Sequence, residues 1–305
     1  MPERQFRFYK YQGLGNDFLL FDLRVEEPLP SPQHATLAQA LCDRHYGVGA
    51  DGVLILLPPS SDDADVRLRI LNVDGSEAEM CGNGIRCVAK YLHDRDPRLR
   101  RSRISIETLA GNKTCEIATD ASGAAETIKV AMGHPSCLRK DVPMTGPPEE
   151  RCLEQPLEVD GATLRITALS MGNPHAVVFV PDNGGRLRDM AERYGAQIER
   201  HRWFTHRTNV EFVRLLSPAE IDAVVWERGC GITLACGTGA CAACVAACLT
   251  GRLTPGSPTT VRLPGGSLSV AIEPDYSGVT MTGPAVLVFE ASIDLPRLAT
   301  TASSQ

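Results

Sequence analysis

The chain has 305 residues, 43% of them hydrophobic and 22% charged, with a formal net charge of −6; that length suits two ordinary domains or one large one. The acidic balance argues against nucleic acid as a partner, and the charged opening "MPERQFRFYK" does not read as a secretory signal. Eleven cysteines without such a signal fit a reducing cytoplasm better than a disulfide scaffold, so a cytoplasmic location is expected.

In chain order, "RFYKYQG" and "FLLFDL" read as strands separated by the turn-rich "GLGND". "LAQALCDRHYG" has helical spacing with an expected stop at Gly47. "DGVLILL" reads as a buried strand and "VRLRILN" as an alternating one. Beyond Cys81, "GIRCVAKYLHD" places Ile85, Val88, Ala89 and Leu92 on one helical face. The basic run "RDPRLRRSR" reads as a solvated turn. The proline-rich, charged segment from Arg139 to Pro156 is expected to connect two domains, and the tail "ATTASSQ" to be disordered. Gly229 to Thr250 carries no charged residue over 22 positions. It is built of Gly, Ala, Cys and Thr, too weakly apolar for a bilayer span and suited to a buried loop and central helix; no membrane partner is expected.

The second half repeats the first. "MGNPHAVVFV" sets Gly172-Asn173 before a strand as "GLGNDFLLF" sets Gly15-Asn16, and "RTNVEFV" matches "ADGVLIL" with Asn209 at the place of Gly52. "ACGTGA" then matches "MCGNGI". Asn16 and Cys81 are 65 positions apart, Asn173 and Cys236 63. Three landmarks in one order at almost the same spacing indicate an internal duplication. The expected domains are residues 1–133, with about 283–305 returning to them, and 134–282.

Each Cys-Gly-x-Gly ends an extended run and opens a helix. Glycines there let the backbone approach a ligand, and the first helical N–H groups lack internal partners. Such a terminus attracts a carboxylate and should favour a thiolate over a thiol. Two cysteines so placed, one from each half, match what inversion of a stereocentre needs: one group removes a proton from one face and another delivers one to the opposite face. Cys42, Cys115, Cys137 and Cys152 lack such a context and read as small buried hydrophobes. Cys241, Cys244 and Cys248 share one helix face; no second Cys-x-x-Cys completes a zinc site, so packing is expected and no metal.

Asn16, Asn72, Asn173 and Asn209 stand at strand–turn boundaries, where asparagine is common for backbone reasons alone. As pairs beside the cysteines they could also hold an amino acid. Arg228, next to Glu227, could clamp a carboxylate. His175 reads either as a group tuning a thiol or as a satisfied core histidine.

Together "GLGNDF", "GVGADG", "NVDGSEAEMCGNGIRC", "MGNPHAV", "RTNVEFV" and "WERGCGITLACGTGAC" resemble the diaminopimelate epimerase family over Gln12 to about Ala246. The resemblance implies an α/β (α+β) fold of two pseudo-symmetric domains, each a curled mixed sheet around a central helix, with the active site in the cleft between them. It implies an isomerase that needs no pyridoxal phosphate or other cofactor and interconverts LL- and meso-diaminopimelate for lysine and peptidoglycan precursor synthesis. It also implies a homodimer.

By the same resemblance, Cys81 and Cys236 transfer protons. Asn16, Asn72, Gly82, Asn83, Asn173, Asn209, Glu227, Arg228, Gly237 and Thr238 hold substrate, and His175 and Glu227 tune the thiols. Gly52 departs from the pattern: some members carry Gln there. The five lysines all precede Arg151, and none offers a Schiff-base context. The readings that compete with this one are a cofactor-independent racemase of proline, hydroxyproline or histidine, and a cysteine-rich zinc or redox protein.

Overall fold

The computed structural model describes residues 5–24, 34–183 and 185–294, and the tail "ATTASSQ" lies outside them. The chain forms two compact units, Met1–Val130 with Pro284–Gln305, and Ala131–Gly283. Both are mixed α+β and mostly sheet.

The first unit runs β1 (Gln5–Gly13), β2 (Asn16–Asp22), α1 (His34–Cys42), β3 (Gly52–Leu57), β4 (Val66–Asn72), β5 (Glu77–Ala78), α2 (Gly82–Arg95), β6 (Arg103–Thr108), β7 (Gly111–Thr119) and β8 (Ala125–Gly133), which extends just past the unit's boundary. β2 pairs parallel with β3, β3 antiparallel with β4, and β4 parallel with β6. β3 is buried along almost its whole length, as its unbroken aliphatic run requires.

α1 covers β3 and β4 but ends at Cys42, not at Gly47. The Asp43 carboxylate accepts the N–H groups of His45 and Tyr46, while Val48 and Gly49 both donate back to Leu41 O. A short acidic side chain that bonds its own backbone competes with helix continuation, and here it wins. α2 keeps Ile85, Val88, Ala89 and Leu92 fully buried. It stops at Asp96, the residue before Pro97, whose ring disfavours the helical conformation there.

The second unit repeats this order. It runs β9 (Cys152–Val159), β10 (Ala162–Ser170), β11 (Pro174–Phe179), α3 (Leu187–Glu199), β12 (Asn209–Ser217), β13 (Glu220–Glu227), β14 (Gly231–Ile232), α4 (Gly237–Leu249), β15 (Thr259–Leu263), β16 (Gly266–Ile272) and β17 (Val279–Gly283). β11–β12 is parallel, β12–β13 antiparallel and β13–β15 parallel, the same pairings as in the first unit. The last strand, β18 (Val286–Asp294), pairs antiparallel with β1 just as β9 pairs with β10. The duplication read from three short motifs therefore extends to every strand and helix.

α4 is apolar on all sides and lies against β10 to β13 and β15 to β17. Its alanines and cysteines are small enough for strands to surround it, as an all-round apolar helix requires. The segment from Arg139 to Pro156 is not a connection between units; it lies within the second. Its backbone folds on itself through Arg139 N–H to Glu150 O and Lys140 N–H to Pro148 O. Val142, Met144 and Cys152 are buried in the core under α3. Proline and charge set its exposed face, while three spaced apolar side chains set where it goes.

Gly195 in α3 lies against Trp226: a Cβ there would meet the indole ring at 2.6 Å. Gly195→Ala is expected to lower the melting temperature. Overpacking of this kind costs about 1–3 kcal/mol, more than the roughly 1 kcal/mol of helix propensity that alanine returns. Thermal unfolding followed by circular dichroism checks this, and an unchanged or higher midpoint would mean that the ring moves aside freely. Among the described residues no helix is long and apolar enough to cross a membrane.

Candidate active site

Each unit presents one cysteine immediately before its central helix. Cys81 (φ −142°, ψ 111°) and Cys236 (φ −119°, ψ 113°) are extended N-cap residues whose carbonyls accept the first helical bonds, from Ile85 and Ala240. Neither uses its side chain to cap the helix. The buried Gly82 and Gly237 begin the helices behind them.

The second glycine of each motif has a packing reason. A Cβ on Gly84 would lie 3.0 Å from Leu54 Cδ2, and one on Gly239 would lie 3.0 Å from Glu211 Oε1. A strand side chain passes directly beneath each helix start, and a Cβ there would press on it.

In the first unit Asn16 connects the predicted residues. Its Oδ1 accepts from Asn83 Nδ2 at 3.1 Å and faces the Cys81 thiol at 4.0 Å, while its Nδ2 donates to Asp51 Oδ2 at 2.8 Å. Asp51 in turn pairs with Arg44. The fully buried Arg86 holds Asn83 Oδ1 at 2.9 Å and donates to Pro284 O. Asn72 is not part of this group: it is exposed and donates to Ser76 Oγ within its own turn.

At Gly52 a Cβ would meet Leu71 O at 2.8 Å. A longer residue at this position therefore requires the strand pair to shift.

In the second unit the Cys236 thiol lies 3.5 Å from Thr238 Oγ1, and Asn173 Nδ2 donates to that hydroxyl at 3.3 Å. His175 is fully buried; its Nε2 faces Asn173 Oδ1 at 2.9 Å and its Nδ1 faces Glu211 Oε1 at 2.7 Å. The Glu227 carboxyl accepts from Thr233 Oγ1 at 2.5 Å, and its charge acts on the Cys236 thiol. Asn209 braces the neighbouring loop, donating to Pro174 O and accepting the Arg228 N–H at 2.9 Å. Arg228 itself is exposed, and among the described residues its guanidinium makes one long bond, to His206 O at 3.4 Å. The buried Glu199 steadies the same loop by accepting from Gly229 N–H and Trp226 Nε1.

Protonation corrects one expectation. Burial first, and the Glu227 carboxylate second, push the Cys236 thiol well above its ordinary value, against the pull of Thr238 and the Gly239 N–H. Burial likewise raises Glu227 and Glu211. The partial charge of a helix start amounts to about half a unit, and here it does not compensate for desolvating a thiolate beside carboxylates. Cys236 at rest is therefore a thiol.

Other cysteines behave as packing: burial pushes Cys42 and Cys115 to about 12, and Cys241 and Cys244 are fully buried. Cys137 is only partly buried, unlike the packing residue expected there. Among the described residues no group of three or more His, Cys, Asp or Glu side chains is arranged to hold a metal ion.

Glu211, Asp51, Arg86, Thr233 and Glu199 were not singled out from sequence. Glu211 had the clearest signal available, a carboxylate two places past Asn209 among Val210, Phe212 and Val213.

Two like units, each opening its central helix on a cysteine, define a protein of the proline racemase and PhzF fold class. A hydroxyproline epimerase from Agrobacterium vitis superposes with a TM-score of 0.70 at 16% identity, covering 95% of this chain and 91% of that one. A PhzF-family phenazine biosynthesis protein from Bacillus anthracis gives 0.67 at 18% identity, covering 95% and 99%. Within that class the chain belongs to the diaminopimelate epimerase family, whose profile, described as Diaminopimelate epimerase, matches residues 8–138 and 167–288. The diaminopimelate epimerase of Pelotomaculum thermopropionicum is 51% identical over 282 residues, 92% of this chain and 96% of that protein. That of Synechococcus sp. (strain JA-3-3Ab) is 48% identical over 295 residues, 96% and 99%.

Proposed function

We propose that Cys81 and Cys236 are the two proton-transfer groups of this enzyme, acting on opposite faces of one α-carbon. The chain is an isomerase that epimerises LL-diaminopimelate to the meso isomer, a step of lysine biosynthesis. The observation that carries the thiol assignment is the matched pair of extended N-cap cysteines, neither spent on capping its helix.

A thiolate removes the α-proton, and the electron pair left on carbon is delocalised into the adjacent carboxylate. The N–H groups at Gly82-Asn83 and Gly237-Thr238 are suited to hold that carboxylate as its charge grows. The second thiol then protonates the other face and becomes the thiolate for the reverse reaction. Cys236, a thiol at rest, is placed to act as the acid for the isomer whose α-proton faces Cys81.

Asn16, Asn72, Asn173, Asn209, Glu227 and Arg228 hold the substrate's polar groups, Arg228 through a carboxylate. The active species is a homodimer. Val286, Val288 and Phe289 on β18 stand exposed, apolar surface of the kind that a second copy would cover.

The test is incubation of reduced, chelator-treated protein in D2O with LL-diaminopimelate, and in parallel with proline and histidine, followed by NMR. Deuterium entry at the α-carbon with formation of the meso isomer is expected. Exchange on proline or histidine but not on diaminopimelate would keep the chemistry and remove the substrate assignment.

A further inference from the structure

The two units depart from one another around α4. From the aligned registers, His175 occupies the place of Phe18 and Glu211 that of Leu54. Leu54 and Glu211 lie beneath Gly84 and Gly239 at the same 3.0 Å approach. Packing alone is served by leucine in the first unit. In the second, the same position carries a wholly buried carboxyl whose Oε2 has no hydrogen-bond partner. Burying such a group costs free energy, so packing does not account for it.

Hydrogen-bond donors and acceptors order the surrounding groups. Two acceptors do not approach to 2.7 Å without a hydrogen between them, so one proton lies between Glu211 Oε1 and His175 Nδ1. His175 Nε2 faces the Asn173 carbonyl oxygen, so Nε2 carries a hydrogen as well. Asn173 Nδ2 then donates to Thr238 Oγ1. The Thr238 hydroxyl, with one lone pair taken by Asn173, lies 3.5 Å from Cys236 Sγ, where its own hydrogen can be donated to a thiolate.

We propose that Glu211 is a positioning residue: by supplying the proton at His175 Nδ1 it fixes the direction of the chain His175–Asn173–Thr238, so that Thr238 donates to the Cys236 sulfur whenever that sulfur is a thiolate. The proposal rests on the assignment of Cys236 as a proton-transfer group. As Cys236 protonates the α-carbon, its S–H bond breaks, a C–H bond forms and the electron pair stays on sulfur. A donor already aimed at sulfur stabilises that product without rearrangement. The charged or titratable groups facing Cys236 are Glu227 on β13 and Glu211 on β12, with His175 on β11 behind Asn173.

The experiment compares Glu211→Leu, which copies Leu54, with Glu211→Gln, whose amide N–H can still donate to Nδ1. Both variants lose the carboxylate, so their difference isolates the hydrogen bond. The first readout is the ultraviolet thiolate absorbance of Cys236 against pH, taken as the difference from the same variant carrying Cys236→Ser. It needs no turnover, so it stands apart from the substrate-exchange test of the thiol assignment.

The Glu211→Leu midpoint is expected about one pH unit above that of Glu211→Gln, a tenfold difference in thiolate fraction. Its kcat should be about tenfold lower at similar KM. Equal midpoints would overturn the proposal and leave Glu211 a packing residue. If Glu211→Leu fails to fold, His175→Phe, which copies Phe18, breaks the chain one link later. Its midpoint should then lie above that of Glu211→Gln, and equality would again overturn the proposal.

Discussion

Cys81→Ala and Cys236→Ala each stop epimerisation, with turnover falling about 10²–10⁴-fold or to the detection limit. Alanine removes the sulfur and nothing structural: both residues are extended N-caps, and both helices start on backbone bonds from Ile85 and Ala240. Melting temperatures and substrate affinity should therefore stay near those of the unaltered chain, which calorimetry can verify. The informative part is what survives. A variant with one thiol left can still remove a proton from the isomer presented to that thiol, so α-proton exchange into D2O should persist for one isomer without inversion. The two variants should retain opposite isomers. Inversion at ordinary rates in either single variant would sink the two-thiol mechanism.

Replacing Arg228 by leucine should raise KM by about 10–100-fold, the loss of a charge-assisted hydrogen bond worth about 1.5–3 kcal/mol. The side chain is exposed, and among the described residues it makes one long bond, 3.4 Å to His206 O, so little else is disturbed. The loop should stay in place, because Asn209 holds the Arg228 backbone and Glu199 holds Gly229. Lysine at this position should recover only part of the loss, since it keeps the charge without the planar fork. Steady-state kinetics with both variants provide the check. A fall in kcat at constant KM would instead give Arg228 a part in the chemical step.

The protonation of Cys236 bears on both expectations. A helix start alone would have made the two cysteines alike. Burial and the carboxyl groups of Glu227 and Glu211 make Cys236 a thiol, which gives the resting enzyme one acid ready to use. A mechanism that must return to either protonation pattern gains from a polar chain able to serve both forms of the sulfur. The ordered bonds from Glu211 to Thr238 have that capacity.

Much of this protein was legible in its residues. The spacing from Asn16 to Cys81 and from Asn173 to Cys236 revealed the duplication, because a repeated unit keeps its landmarks at turns and helix starts. Burial patterns of β3, α2 and α4 followed from periodicity and from the lack of charge in α4. The cysteine motifs declared themselves because glycines on both sides of a turn residue mark close backbone approach, a local property. What only the tertiary structure decided depends on residues brought together from separate strands. Nothing near Asp43 in sequence space announces that α1 stops there; its bonds to the next turn do. The segment from Arg139 to Pro156 resembled a linker until Val142, Met144 and Cys152 were seen in the core. Glu211 is remote in the chain from both His175 and Cys236; the β11–β12 register and the packing of α4 on these strands bring the three together. The state of the Cys236 thiol was settled the same way, since desolvation depends on everything that surrounds a group and not on its neighbours in the chain.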